Sequence, residues 1–437
     1  MAAPPPLDRA APVLWSVANS AVPEFDLQAI TRPNVWALKP YHCARDDFTS
    51  GVLLDANENS YGPCAVGAVG DAVGAHPLTM ATTIATTSAA TAPLHRYPDP
   101  LQLEVKQRFC ALRGVPDPSY VFLGTGSDEA LDLLVRIVCR PAVDAILICP
   151  PTYGMYQVCA AMNDVAVARV PLEPDTFQLD VPAIRQRLQA PAMPATPPVK
   201  IVFVTSPGNP TGSLLRHDNL RALLTTPGWN GIVVVDEAYI DFSDPLLPLD
   251  DATRGAYGTT VSWVTSYPNL VVTQTLSKAF GLAGIRAGFA VASPPIIGLM
   301  NKFKAPYNVG VPTAQICLQA LAPSGVALMR AHAARLVAER YRLLEVLSHS
   351  APPGLSSRQR RQDANFVLVT VLGTAHPGPD SRRAHAVYLH MAQQGGVVVR
   401  SRVTEPACAG VLRITVGTPP ENQLLVEAFK VALAACP

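Results

Sequence analysis

Short apolar strands that each run into a polar cluster constrain this chain most. Val121-Phe122-Leu123 leads into Gly124-Thr125-Gly126-Ser127-Asp128-Glu129 and a helix reaching Cys139. Ala145 to Cys149 ends at Pro150-Pro151-Thr152-Tyr153-Gly154, and Ile201 to Thr205 ends at SPGNPTG, residues 206–212. Ile232 to Val235 ends at Asp236-Glu237-Ala238-Tyr239, and Leu270 to Thr273 opens the stretch TQTLSKAFGLAGIRAGF, residues 273–289. Continuous apolar runs of this length read as strands buried on both faces. Helical stretches lie between them, so the expected fold is α/β, a mostly parallel sheet between layers of helices. In such sheets ligands gather at the carboxyl ends of the strands. Every cluster named here sits there.

The rest of the chain suits a second, smaller α+β domain. Leu328 to Leu347 reads as a long helix, followed by a basic loop over Ser350 to Gln362. Strands are expected at Asn365–Val371, Val397–Val399 and Val411–Val416, with helices near Arg383–Gln394 and Pro420–Ala434. Residues 1–40 are Pro- and Ala-rich and read as an arm, with Trp36 to Asp47 as an irregular approach segment. Residues 41–94 belong with the small domain and carry a Thr- and Ala-rich insertion at 71–93; residues 95–309 form the large domain and 310–437 complete the small one. At 437 residues the chain is too long for one core, which supports this division.

Composition excludes several classes. Net charge is +1, so no electrostatic case exists for a nucleic-acid or anionic-membrane partner. The nine cysteines are scattered without a CxxC pair and read as reduced thiols, not a disulfide frame or zinc site. No apolar run reaches the roughly 18 residues of a membrane span. The first residues, MAAPPPLDRAAPVLW, resemble neither a secretory leader nor a mitochondrial presequence, so a cytoplasmic protein is expected.

The clusters carry chemistry when taken together. Lys278 follows a buried strand, and desolvation there makes a lysine a better amine nucleophile. Thr275, Ser277 and Arg286 offer donors and a charge for a phosphate beside it. A lysine able to form a Schiff base within a phosphate cradle is what pyridoxal phosphate requires. Ser127 and Asp128 are expected at a helix N-cap, where N–H groups and the dipole favour a phosphate; the plainer reading is a capped helix after a tight turn. Asp236 at a strand end needs a cation, and a protonated pyridine nitrogen would serve; a metal or a structural salt bridge is the alternative. Tyr239 and Asn209 are placed to reach a ring oxygen, and Tyr153 to stack on a ring, although a plain loop and a core tyrosine fit the local sequence as well. Arg400 and Arg413 lie in or at apolar strands, where arginine is rare unless it meets an anion.

LDANEN, RYPDP, GTGSDE, PTYGMY, SPGNPTG, DEAYIDF, TLSKAFGLAGIRAGF and LRITVG occur in that order. Over residues 25–435 or so, the chain resembles the fold-type I pyridoxal phosphate aminotransferases, and among them the histidinol-phosphate aminotransferase family in its eukaryotic, fungal-type branch. The resemblance implies a seven-stranded, mostly parallel sheet in the large domain. It implies that Lys278 binds pyridoxal 5′-phosphate as a Schiff base and shuttles the Cα proton. Asp236 would pair with the pyridine nitrogen, Asn209 and Tyr239 with the ring oxygen, and Tyr153 with the ring face. Ser127, Asp128, Thr275, Ser277 and Arg286 would form the phosphate cup, joined by Tyr97 from the neighbouring subunit of a homodimer. Arg413 would hold the α-carboxylate of L-glutamate, and Arg413, Arg400 and Tyr61 the phosphate of L-histidinol phosphate. The implied reaction is ping-pong transamination between L-histidinol phosphate and 2-oxoglutarate.

The chain departs from the family pattern in a longer loop between Tyr61 and Arg96, a long segment at 351–383, and Gly208 where many members carry Asn. Aromatic amino acid transaminases and threonine-phosphate decarboxylases share the fold and are the alternative reading, separable by amino-donor kinetics. A silent scaffold protein is argued against by the intact Lys278, Asp236 and Arg286 set.

Overall fold

The structure, a computed structural model, describes residues 26–38, 44–65, 94–193, 195–243, 257–349, 354–356, 362–374 and 378–436. The insertion expected at 71–93, the start of the arm and most of the basic run at 358–363 lie outside the described residues. The chain forms two units, Met1–Lys39 and Pro40–Pro437. In the first, Asp26 caps the single-turn helix Leu27–Ile30 by accepting from the Ala29 N–H at 3.1 Å. A proline starts the single-turn helix Pro33–Trp36, where its missing N–H costs nothing. In the second, Ala44–Asp47 is another helical turn, so part of the supposedly irregular approach is regular.

The second unit is organised by a sheet whose order is β2-β8-β7-β6-β5-β3-β4. Its strands are β2 (Val121–Thr125), β3 (Ala145–Ile148), β4 (Ala166–Arg169), β5 (Val199–Thr205), β6 (Ile232–Asp236), β7 (Leu270–Thr275) and β8 (Ala287–Ala292). All pairs are parallel except those of β8, which runs antiparallel to β2 and β7. Side chains alternate between two cores, as a period of two requires. Val233 and Val235 enter one, Val234 the other; Val202 and Val204 face one way, Ile201 and Phe203 the other. Helices Gly126–Val138, Met155–Met162 and Pro294–Phe303 close the second core through Leu131, Leu134, Cys159, Ile297 and Met300. Fully burying a valine or leucine contributes about 1.5–3 kcal/mol, so strands packed on both sides are the rigid frame.

Two strands of this sheet escaped the sequence reading. β4 is a half-exposed edge with little apolar signal. β8 is hidden within the glycine-rich run after Arg286. A Cβ on Gly288 would lie 2.1 Å from the Ser127 backbone nitrogen, so only glycine lets this strand pass the start of the Gly126–Val138 helix.

The C-terminal stretch forms a four-stranded antiparallel sheet, β12-β13-β10-β9, from β9 (Leu355–Ser356), β10 (Phe366–Val371), β12 (Arg400–Ser401) and β13 (Val411–Thr415). β9 replaces part of the loop expected there. β1 (Val52–Leu53) pairs in parallel with β11 (Val397–Val398), tying the early segment to this stretch. The helix Pro323–His349 backs the sheet, and Ser381–Gln393 and Pro419–Ala435 complete the region. Among the described residues, no single helix is long and apolar enough to cross a membrane.

Candidate active site

The carboxyl ends of β5, β6 and β7, the start of the Gly126–Val138 helix and the β12–β13 hairpin surround a cavity of about 360 Å³. Twelve of the fourteen site residues expected from sequence line it; Tyr61 and Tyr97 do not.

Lys278 stands just past β7 on the cavity wall. Its Nζ donates to the Ala56 carbonyl at 2.9 Å and lies 5.8 Å from the Tyr239 ring centre. The backbone after it is clamped: Asn59 donates to the Ala279 carbonyl at 2.8 Å and the Cys64 N–H to Phe280 at 2.9 Å. Gly281, at φ +64°, is needed for this contact, since a Cβ would meet the Gly62 carbonyl at 2.1 Å.

Asp236 ends β6, buried, with its ladder neighbours Thr205 and Thr273 on either side. Tyr156 donates to its Oδ2 at 2.8 Å, and the Ala238 N–H reaches Oδ1 at 3.2 Å. Burial raises this carboxyl to about 6. A cation against it would restore the charged form. Tyr156 was quoted in the motif PTYGMY but given no role. It is fully buried, stacks on Phe203 with centroids 4.8 Å apart, and its hydroxyl also lies 2.8 Å from that of Thr205. Only Tyr156 is inside the helix Met155–Met162; Tyr153 precedes its N-cap, Gly154.

One end of the cavity is built on the first turn of the Gly126–Val138 helix. The N-cap is Thr125, so Ser127 and Asp128 occupy the first turn rather than the cap position expected. Glu129 in the first turn bends its carboxylate back to accept from the Thr125 N–H, while the Thr125 side chain makes no capping bond. Asp128 accepts from the Tyr153 hydroxyl at 3.1 Å and from Arg286 at 3.3 Å. The Thr275 hydroxyl lies 2.9 Å from that of Ser277 and 3.1 Å from the Ala287 carbonyl. Arg286 has φ 53°, and a Cβ on Gly126 would sit 2.5 Å from its guanidinium. Backbone N–H groups, three hydroxyls and a guanidinium around a space that no Cβ intrudes on fit a phosphate monoester.

The opposite wall is cationic. Arg413 in β13 is directly across from Arg400 in β12. Like charges facing across a strand pair are destabilising, so the arrangement calls for an anion. Arg413 is buried, donates to Asn209 Oδ1 at 2.8 Å and to the Asp55 carbonyl, and keeps its Nε without a partner among the described residues. Burial, and after it repulsion from Arg402 and Arg400, lowers its pKa to about 10. The bond from Arg413 fixes the Asn209 side chain, leaving its amide NH₂ available on the cavity wall. Tyr239 is buried edge-on to Phe366, and its hydroxyl accepts from Asn57 at 3.0 Å. Asn57, Arg402 and Glu405 also line the cavity and were not singled out from the sequence.

Two expected residues are not on the cavity. Tyr61 departs from its expected place: its N–H is held by Asn59 at 3.0 Å, and its ring packs 5.4 Å from His332 with Arg335 at 5.6 Å. That turn directs it away from the lining. Tyr97 is 81% exposed and stacks on Tyr307 with centroids 4.5 Å apart.

The profile of the family "Aminotransferase class I and II" matches residues 49–429. Over 94% of this chain the sequence is 44% identical to a histidinol-phosphate aminotransferase of Schizosaccharomyces pombe, covering 98% of that protein. It is 40% identical to one of Saccharomyces cerevisiae, again over 94% of this chain and 98% of the relative. In fold it matches histidinol-phosphate aminotransferase from Sinorhizobium meliloti in complex with pyridoxal-5′-phosphate, with TM-score 0.74 and 20% identity over 94% of this chain and 99% of the other.

Proposed function

The chain belongs to the class I and II aminotransferases and, within them, to the histidinol-phosphate aminotransferase family; from that premise we propose how its residues divide the work of moving an amino group from L-histidinol phosphate to 2-oxoglutarate. The products are imidazole-acetol phosphate and L-glutamate, in histidine biosynthesis. The observation that carries this reading is one cavity holding a lysine, a buried carboxylate at a strand end and two opposed arginines.

Pyridoxal 5′-phosphate, when bound, supplies the carbonyl that captures the amino group and the ring that makes the Cα proton acidic. The first turn of the Gly126–Val138 helix, with Ser127, Asp128, Thr275, Ser277 and Arg286, would hold its phosphate. Asp236 would pair with the ring nitrogen, and that cation would offset the burial of its own charge. Tyr156 holds Asp236 in place. Asn209 and Tyr239 would meet the ring oxygen, and Tyr153 a ring face. Lys278 would hold the group through its Nζ and serve as the base that moves the Cα proton. Arg413 and Arg400 grip the carboxylate of glutamate or the phosphate of histidinol phosphate, because a guanidinium binds either anion in a fork. Since both donors use this one anion site, they must react in turn, which is ping-pong order.

We further propose a homodimer in which Tyr97 completes the phosphate cup of the neighbouring subunit. Its exposure, with that of nearby Leu101, Leu103, Phe303 and Tyr307, supports a partner surface there. A cytoplasmic setting suits the eight described cysteines, all free thiols.

Steady-state kinetics with competing amino donors tests the substrate. We expect kcat/KM for L-histidinol phosphate to exceed that for L-phenylalanine by at least about 100-fold, the scale of exchanging a phosphate dianion for a carboxylate monoanion at the same arginines. Preference for phenylalanine overturns it.

A further inference from the structure

Arg340, in the helix Pro323–His349, is fully buried and makes no ion pair among the described residues. Its Nη1 donates to the Ala364 carbonyl at 2.8 Å and to the Phe242 carbonyl at 3.1 Å, and its guanidinium lies 5.2 Å from the Tyr341 ring centre. Nε and Nη2 are buried without a partner among the described residues. Burying a guanidinium with most of its donors idle costs stability. What Arg340 provides is geometry: one nitrogen joins two carbonyls from segments far apart in the chain.

Those carbonyls belong to a closed circuit around Tyr239. The Phe242 N–H donates to the Tyr239 carbonyl at 3.0 Å, so this turn carries the tyrosine backbone. Ala364 precedes Asn365, whose Nδ2 donates to the carbonyls of Asn57 and Glu58, both at 3.1 Å. Asn57 Nδ2 donates in turn to the Tyr239 hydroxyl at 3.0 Å. The Asn57 Oδ1 accepts from Thr415 at 3.3 Å, which leaves its NH₂ to face the tyrosine. A phenol that accepts there keeps its one O–H proton for another partner. Arg113 holds the same turn from another helix, forking onto Asp241 at 2.7 and 2.8 Å. That pair is of the two-point kind that stabilises in its own right, and it does not reach the Asn57 side.

We propose that Arg340 is a positioning residue: by joining the Phe242 and Ala364 carbonyls it fixes the backbone and the hydroxyl of Tyr239 relative to each other, and so sets the bond from Tyr239 to the ring oxygen of the cofactor. The proposal rests on the reading above that Tyr239 meets that oxygen, and deepens it. Without Arg340 the circuit opens between the turn after β6 and the start of β10, and the hydroxyl and backbone of Tyr239 are held by segments free to shift against each other.

The test compares variants of the full chain in cofactor affinity and in the pH midpoint of the bound cofactor's visible absorbance. Tyr239→Phe is the reference, since it deletes the bond outright. It should raise the midpoint by about one pH unit, because a ring oxygen without that donor holds the neighbouring proton more tightly. Arg340→Met should raise it about half as far and weaken cofactor binding about fivefold, with the urea midpoint of the cofactor-free chain unchanged or higher. Lys278 and Arg413, charged groups that face Tyr239, are intact in every variant, so a shared shift reports on the phenol. Added to Tyr239→Phe, Arg340→Met should change either quantity by less than about twofold, because both act on one bond. Asn365→Ala opens the circuit on its other side and should behave alike, which decides the matter if Arg340→Met does not fold. Effects of Arg340→Met or Asn365→Ala that multiply with those of Tyr239→Phe, or an unshifted absorbance midpoint in either, would overturn the proposal. A wild-type midpoint in Tyr239→Phe itself would sink the reading that Tyr239 meets the ring oxygen, and the proposal with it.

Discussion

Asp236 and Glu237 are adjacent carboxylates with opposite fates. Glu237 is buried and satisfied by Thr259 at 2.6 Å, the Thr260 N–H and hydroxyl at 2.6 and 2.9 Å, and Gln274 at 2.9 Å. Asp236 faces the cavity with one side-chain donor, Tyr156, and burial lifts it to about 6. A carboxyl bound more tightly to its proton when folded contributes stability fully below the unfolded value near 3.9, and loses it as pH rises through about 6. The cofactor-free chain should thus lose about 3 kcal/mol from this group between pH 4 and pH 7. Asp236→Asn should be more stable than wild type by about 1–3 kcal/mol at pH 8 without cofactor, read by urea unfolding, yet bind cofactor more weakly. Equal cofactor affinity in this variant would count against the pyridine partner. Tyr156→Phe removes the bond to Oδ2. We expect about tenfold weaker cofactor binding and a shifted pH dependence of the bound cofactor's absorbance, neither of which loss of packing alone would give together. At this scale the sequence was legible wherever a residue is peculiar to its surroundings, such as an arginine in an apolar strand. It was silent on Tyr156, which looks like any core tyrosine until its hydroxyl is located.

The strand ends were legible because apolar runs and turn residues mark them sharply, and Lys278, Asp236 and Asn209 follow from being there. Elements whose signal is weak alone were missed. β4 is an edge, and β8, Ala-Gly-Phe-Ala-Val-Ala, is rich in small residues, with Gly288 where it passes the Ser127 backbone. The Gly126–Val138 helix starts right after Thr125, which makes no side-chain cap, so no capping residue marks the boundary in the sequence. Gly288→Ala should push β8 from Ser127, costing about 1–3 kcal/mol by thermal unfolding, and should weaken cofactor binding more than that of the amino donor. An Ala variant with unchanged cofactor affinity would show that this close approach does not shape the phosphate cup. Tyr61 illustrates a different limit: the turn set by Asn59 aims it at His332, which no local pattern announces.

At the scale of the whole molecule, the site is assembled from chain segments far apart in sequence, with Asp55 to Asn59 meeting Lys278 and Arg413. No periodicity reports such meetings, which is why Arg402 and Glu405 came to light only in three dimensions. Subunit sharing predicts complementation. Mixed dimers of Tyr97→Ala with Lys278→Ala should carry one intact site and regain up to about a quarter of wild-type activity over the population. No recovery above the parents would separate Tyr97 from the neighbouring site.

The claim that joins these scales is that one cavity takes the amino group first and gives it away later. A single half-reaction tests it most directly. The cofactor-loaded enzyme is mixed with L-histidinol phosphate and no 2-oxo acid, and keto product is counted per subunit. The account predicts about one equivalent of imidazole-acetol phosphate per subunit, with the visible absorbance of the cofactor lost in step, and then regained on adding 2-oxoglutarate. Lys278→Ala should give neither change at a comparable rate. Release of carbon dioxide from any amino donor, or no product until both substrates are present, would contradict it.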